Sequence, residues 1–406
     1  MKILHTADWH IGKILHKHSL VQEMEMFLDW LIQTISDEGI DLLLVSGDIF
    51  DVANPSVKDR SVYYRFLSRL IGTKTQVIIT GGNHDSVGLI DAPQEIFKQL
   101  NISVVGGAKS VLSNELVEVF EDKKVKLIVA AVPFLRDKDL RNLYLDTNFE
   151  NRSDALKAGI EKHYSDLSDL CEEKYKGVPA LAMGHLYAKG VSTSESERDI
   201  HIGNAAAIES NIFPDRFGYI ALGHIHRPQI IGGNPLIRYS GSPIALSFSE
   251  KEDQKCVLIT ELVEGTFITP KVVSVPKNRQ LKKVSGTFND VKSKLEAYKP
   301  DFNLKSFVEL EILEKDFSVA ILSEVEQLIS ENASSDRFII LKSKTTFENG
   351  AKDTSDLFQR GESIEDLKPL DVFDKLIEHE SLSDENITIV KDAFIELLES
   401  IHHTDS

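Results

Sequence analysis

The chain has few of the residues that staple small folds or carry proteins through membranes. Only two cysteines, Cys171 and Cys256, occur in 406 residues, which excludes a disulfide framework and fits a reducing compartment. No apolar run approaches the roughly 18 residues that a membrane span needs. The opening MKILHTADWH also lacks the apolar stretch of a signal peptide, so the expected setting is cytoplasmic. Positive charge is scarce as well: 46 Lys and Arg face 64 Asp and Glu, a formal net charge of −18. A chain that grips a polyanion through its overall field would be basic. Much of the excess is local, because residues 351–406 hold fifteen acidic and five basic side chains and leave −8 for the first 350. With 42% hydrophobic residues, the remainder can bury a sizeable core and should form more than one domain.

Five short apolar runs each end in polar residues of the kind that bind metals: ILHTADWH, LLLVSGDIFD, VIITGGNHD, LAMGH and YIALGHIH. A β-strand delivers its last side chains to one edge of a sheet, so five such ends can meet in one cleft. They carry Asp8, His10, Asp48, Asn83, His84, His185, His224 and His226. Carboxylates, an amide oxygen and imidazoles without a thiolate suit manganese or iron better than a structural zinc. Without His84 the set still has seven donors, too many for one four-coordinate ion and enough for two that share a carboxylate. Two ions roughly 3.5–4 Å apart can clamp a phosphoryl group and acidify a water, which is the chemistry of phosphoester hydrolysis. A single GD or GH pair is ordinarily a turn and a lone buried histidine a core residue. Five in series after strand-like runs are not.

The order D-x-H, G-D, G-N-H-D, G-H and G-H-x-H resembles the calcineurin-like metallophosphoesterase superfamily. The resemblance implies that Asp8, His10, Asp48 and His226 hold one ion and that Asp48, Asn83, His185 and His224 hold the other, with Asp48 as the bridge. It implies further that His84 is not a ligand but a catalytic residue beside the scissile phosphate, where it stabilises charge or protonates the leaving oxygen. Asp51, in GDIFD, matches a position that some branches use to orient that histidine, and Asp85 is the alternative. The segments SESERDIHIGN, YIALGHIHRPQIIGGN and YSGSPIALSFSE, with ILHTADWHIGK, are similar to the SbcD family of bacterial nucleases in the meiotic-recombination branch. That likeness is strong over the first 275 residues. It implies a DNA nuclease with two divalent ions, Mn2+ being the expected metal. It also implies that the chain works with an SMC-like ATPase, SbcC, as a homodimer within a heterotetramer.

The expected fold class is α/β: a four-layer sandwich of two mixed β-sheets flanked by helices over residues 1–275. Ser19 is expected to cap a helix carrying Leu20, Phe27, Leu28, Leu31 and Ile35 on one face. Ser56 or Pro55 opens another, with Tyr63, Phe66, Leu67 and Leu70 along one side. Hairpins are expected around Glu121 to Lys124 and at Glu264-Gly265. His5 reads as a strand residue. His16, His18, His163, His201, His379, His402 and His403 read mostly as surface or loop, with His16 and His18 as candidates to line the substrate path. The family resemblance places a dimer contact on the Tyr63 to Leu70 face and on EIFKQL (95–100).

Residues 276–346 read strand, helix, strand, helix, strand and are expected to form a small α/β capping domain that, by the resemblance, guides DNA to the metals. Residues 347–364 read as a polar linker. In 365–406, Leu370, Phe373, Leu376 and Ile377 form one amphipathic face and Ile387, Val390, Phe394, Leu397, Leu398 and Ile401 another. So small a helical element cannot build a core and should dock on a partner, which the resemblance identifies as the ATPase coiled coil. GTKT at 72–75 lacks the upstream glycine of a phosphate loop and reads as a helix end, so ATP use belongs to a partner. A small-molecule phosphodiesterase or phosphomonoesterase would use the same ligands and is the alternative reading. An interaction scaffold with a structural metal has no need of His84.

Overall fold

The computed structural model describes residues 1–144, 152–197, 200, 207–349 and the three positions 390, 391 and 394. Apart from those three positions the expected helical element at 365–406 therefore lies outside the described residues, as do most of the linker before it and His201, His379, His402 and His403.

The first sheet is built on β1 (Lys2–Thr6), which runs parallel to β4 (Leu42–Ser46) on one side and antiparallel to β13 (Cys256–Val263) on the other. Parallel pairing continues to β5 (Gln76–Thr80) and β6 (Ile102–Val105), while β14 (Thr266–Phe267) and β15 (Lys271–Ser274) pair with β13. The second sheet has the order β11 (Gln229–Ile231), β12 (Asn234–Tyr239), β10 (Ile220–Gly223), β9 (Ala180–His185), β8 (Lys124–Ala131) and β7 (Leu116–Glu121). A short hairpin, β2 (Ile14–Leu15) and β3 (His18–Ser19), follows β1. Period-2 alternation makes the layers. Leu42, Leu44 and Ile78 meet Leu127, Val129, Leu181 and Met183 between the sheets. Leu43, Val45 and Ile79 point the other way, onto α1 (Val21–Glu38) and α2 (Val57–Leu70). The short helices α3 (Val87–Asp91) and α4 (Gln94–Lys98) lead from β5 to β6. The second sheet packs its outer face on α5 (Asp137–Tyr144) and α6 (Arg152–Lys174) through Leu140, Leu156, Ile160 and Tyr164. This is the four-layer α/β sandwich expected from the sequence.

Local chemistry explains most element ends. Ser56 caps α2 in a reciprocal box with Asp59. The β7–β8 hairpin turns through Asp122 and Lys123, both at positive φ, and the β13–β14 hairpin turns through Glu264-Gly265. Ser19 closes the short β2–β3 hairpin and, as expected, also serves the start of α1, its hydroxyl accepting from the Val21 amide at 3.3 Å. GTKT follows the end of α2, as read. The Tyr63, Phe66, Leu67 and Leu70 face is buried in the chain's own core, so it is not a free contact surface. What this region exposes instead is Val57, Tyr64, Ile71 and, from α4, Ile96.

Residues 281–347 form a separate parallel sheet in the order β16 (Leu281–Gly286), β17 (Ser306–Glu314), β18 (Phe338–Phe347), with helices Phe288–Ala297 and Val319–Asn332 as its crossovers. It has its own core around Val291, Leu295, Val308 and Leu310. Leu281 and Phe307 also pack on Leu15, Leu20, Leu246 and Phe248 of the sandwich. Arg279 joins the two bodies, stacking its guanidinium 3.9 Å from the Phe307 ring centre and pairing with the buried Glu23 of α1. No helix among the described residues is long and apolar enough to cross a membrane.

Candidate active site

The ends of β1, β4 and β5 in one sheet and of β9 and β10 in the other bring the expected ligands together. Asp8, His10, Asp48, His84, His185, His224 and His226 are all at most 4% exposed. Three groups have ligand atoms within 4.8 Å of one another: Asp8, His10 and His226; His10, Asp48 and His84; and Asp48, His185 and His224. Asn83 joins them through Oδ1, 2.9 Å from His185 Nε2 and 3.2 Å from His224 Nδ1. The backbone is bent to achieve this. Asp8, His10, Asp48 and His224 all sit at positive φ, an arrangement that non-glycine residues hold only when the surroundings enforce it. Gly47 and Gly82 permit the close approach, since a Cβ at Gly47 would strike the His185 ring and one at Gly82 would strike Asp48.

Hydrogen bonds to their Nδ1 atoms turn the Nε2 atoms of His185 and His10 into the cluster. His185 Nδ1 donates to the Ser46 carbonyl at 3.0 Å. Its Nε2 therefore faces two oxygens, Asn83 Oδ1 at 2.9 Å and Asp48 Oδ2 at 3.4 Å. His10 Nδ1 donates to Asp51 Oδ1 at 3.2 Å, and its Nε2 lies 3.1 Å from Nε2 of His226. Acceptors turned on one another in a buried pocket require a positive charge between them. Burial would strip a proton from His185, yet Asp48 beside it raises the ring to about 9. Burial pushes the Asp8 carboxyl up to about 7, against the pull of His185. Burial also opposes ionisation of Asp48, but His185, His10 and His84 hold it well below the usual carboxylate range. Asp8 Oδ2 and His224 Nε2 are buried without a hydrogen-bond partner. Oxygen and imidazole donors with two such orphaned atoms fit divalent cations.

The two candidate orienting carboxylates are engaged elsewhere. Asp51 sends its side chain to His10 and to Lys13, each at 3.2 Å, and these outweigh burial to bring its carboxyl down to about 2. Its main-chain carbonyl is what accepts from His84 Nδ1, at 2.6 Å. Asp85 accepts from the backbone N–H groups of Ile49, Phe50 and Gly82 at 2.8–3.1 Å and ties the β4 and β5 loops together. His84 presents Nε2 to the cluster, 4.0 Å from Asp48 Oδ2.

Other histidines differ from their reading. His5 is a strand residue, as expected, but it is fully buried between the Tyr219 hydroxyl at 2.9 Å and the Leu222 carbonyl at 3.2 Å. His163, read as surface or loop, lies buried in α6 against Glu115 at 2.8 Å. The rings of His16 and His18 lie beside Phe248 and Phe307, where the sandwich meets the small sheet. Sequence reasoning missed Ser196, Glu250 and Lys255, which bond to one another behind His226. Ser196 and Glu250 lie in two of the segments of family likeness, SESERDIHIGN and YSGSPIALSFSE, while Lys255 lies in neither.

This arrangement defines a metal-dependent phosphoesterase of the calcineurin-like class, and residues 1–228 match the family model described as calcineurin-like phosphoesterase. The chain is 35% identical to SbcD of the nuclease SbcCD from Escherichia coli K12 over 306 residues, 74% of each protein. It is 34% identical to the SbcD of Rhodobacter capsulatus over 68% of this chain and 70% of that one. The SbcD of Bacillus subtilis is 31% identical, over 70% of this chain and 72% of the relative. The chain belongs to the calcineurin-like phosphoesterases and, within them, to the SbcD family of SbcCD nuclease subunits. It is thus a nuclease-type, metal-dependent phosphodiesterase.

Proposed function

We propose that the chain hydrolyses DNA phosphodiesters as the nuclease subunit of an SbcCD-type complex in DNA repair and recombination, trimming duplex ends and cutting single strands and hairpins. The buried cluster of inward-facing oxygen and imidazole donors carries this reading. Asp8, His10, Asp48 and His226 would hold one divalent ion and Asp48, Asn83, His185 and His224 a second, with Mn2+ the choice that best suits this donor set. Such ions supply Lewis acidity toward phosphoryl oxygens and water.

The protein's own contribution starts with His84. Its Nδ1 proton is committed to the Asp51 carbonyl, so Nε2 is the atom that can carry a proton to the departing deoxyribose oxygen. Asp51 supports the reaction at one remove, by holding His10. The main-chain amide of His84 donates to Asp48 Oδ1 at 2.9 Å and fixes the shared carboxylate. Burial of the cluster excludes bulk water and strengthens each of these interactions.

In this reading residues 1–275 are the nuclease domain and 276–346 a capping domain that guides DNA. Residues 347–364 link these to a helical element, 365–406, that docks on an SbcC-like ATPase in the cytoplasm. Two copies would pair through apolar residues near α2 and α4, within a heterotetramer. The test is linear duplex DNA with Mn2+, with and without the ATPase and ATP. Resection of the duplex that requires Mn2+ and is stimulated by ATP supports the proposal. Turnover of nucleotides or phosphomonoesters with no action on DNA overturns it.

A further inference from the structure

His226 is gripped on every polar atom. Its main-chain N–H donates to Glu197 Oε1 at 2.9 Å, and its carbonyl accepts from Lys255 Nζ at 2.9 Å. Behind the ring, Nδ1 lies 2.6 Å from the Ser196 hydroxyl, and Ser196 bonds in turn to Glu250 Oε1. Glu250 is fully buried, and its other oxygen accepts from Lys255 Nζ at 2.5 Å and from the Leu246 amide at 3.2 Å. The Lys255 side chain is only 7% exposed.

The direction of this chain of bonds follows from the donors available. An ionised carboxylate can only accept, so the single hydroxyl proton of Ser196 goes to Glu250. The Ser196 oxygen then accepts from His226, which places the His226 proton on Nδ1 and turns the Nε2 lone pair toward the cluster. The relay touches neither Asn83 nor His185, the donors assigned to the other ion.

We propose that Ser196 and Glu250, secured by Lys255, are positioning residues that hold His226 in its Nδ1-protonated form and set the affinity of one ion subsite, that of Asp8, His10 and His226, separately from the second. The inference rests on the two-ion reading above. A carboxylate–hydroxyl–histidine relay does for this ligand what a direct carboxylate does for others, and Asp51 plays that direct part for His10. Loss of such outer support costs ten- to a hundredfold in metal affinity.

The experiment is calorimetric titration of the chelator-stripped full-length protein with Mn2+, paired with electron paramagnetic resonance to follow uptake of each equivalent. Wild type is expected to take two equivalents. Ser196→Ala should weaken one of them ten- to a hundredfold and leave the other within about twofold, while Ser196→Thr, which keeps the hydroxyl, restores it. Glu250→Gln should reproduce Ser196→Ala. If its loss of charge leaves Lys255 unpaired and the variant does not fold, the serine pair alone carries the test. Two unchanged equivalents in Ser196→Ala overturn the proposal, and so does parallel weakening of both. A wild-type protein that binds no Mn2+ would instead remove the two-ion reading itself.

Discussion

Asp51→Asn separates support of the proposed ligand His10 from support of the proposed catalytic acid His84, because the two depend on different atoms of one residue. The carboxylate faces His10 Nδ1 and Lys13 Nζ, both at 3.2 Å, whereas the carbonyl receives His84. Asparagine keeps the backbone and the side-chain shape and removes the charge. The Asp51 carboxyl titrates at about 2, well below an ordinary aspartate. That corresponds to about 2 kcal/mol of preference for the anion, shared between His10 and Lys13. With about half to most of it felt at His10, the variant should lose about 1–2 kcal/mol of ion affinity, roughly five- to thirtyfold. The assay is turnover of bis-p-nitrophenyl phosphate across an Mn2+ series. The activation midpoint should move to higher Mn2+, and kcat at saturation should stay within about twofold of wild type. A more than tenfold fall in kcat at an unmoved midpoint would refute the reasoning and return the Asp51 carboxylate to the transition state.

Three further outcomes follow from the geometry. His84→Ala should keep both Mn2+ equivalents and lose about 10²- to 10⁴-fold in kcat; loss of an equivalent in the titration would make His84 a ligand. Burial lowers His5 to about 3 in the folded protein against 6.5 in the free side chain, so the unfolded chain binds the extra proton between those values and stability falls as pH drops through that window. The slope is about 1.4 kcal/mol per pH unit, and denaturant melts of metal-free protein should show it flattened in His5→Gln; identical slopes in the two proteins would disprove it. Arg279→Ala removes the stack on Phe307 and strands the buried Glu23, a loss on the order of 3 kcal/mol. Limited proteolysis near Pro276 should accelerate, and an unaltered cleavage rate would show that the contact does not hold the small sheet in place.

The residues that cluster were legible because strand ends impose a pattern: apolar run, glycine, then a polar side chain. Asp48 and His185 could be found from that grammar alone. Ser196, Glu250 and Lys255 could not, since a hydroxyl, a carboxylate and an amine in polar loops look the same whether they face water or one another. The burial of His163 escaped for a related reason, as its partner Glu115 lies 48 residues away. Short apolar runs placed the strands that carry the cluster, and Ser56 and Glu264-Gly265 marked a helix start and a hairpin turn. Ser19 was legible as a capping type and does accept from the Val21 amide, though the short hairpin it also closes was not. Asp51 does meet His84, but through its main-chain carbonyl, an atom that every residue carries and a sequence therefore does not single out.

The cluster draws residues from both sheets, so the order of synthesis decides when the enzyme comes into being. β1, which delivers Asp8 and His10, is flanked by β4 on one edge and by β13 on the other, and β13 is made only after His226 has been added. A nascent chain on the ribosome thus carries all seven donors before it has the strand that completes their platform. Contacts of such long sequence separation form late. A polypeptide ending before Val263 lacks part of the antiparallel neighbour of β1 and should hold Asp8 and His10 poorly. Fragments ending at Lys251 and at Val275, assayed for Mn2+ uptake, test this: only the longer one should bind, and equal uptake by both would refute it.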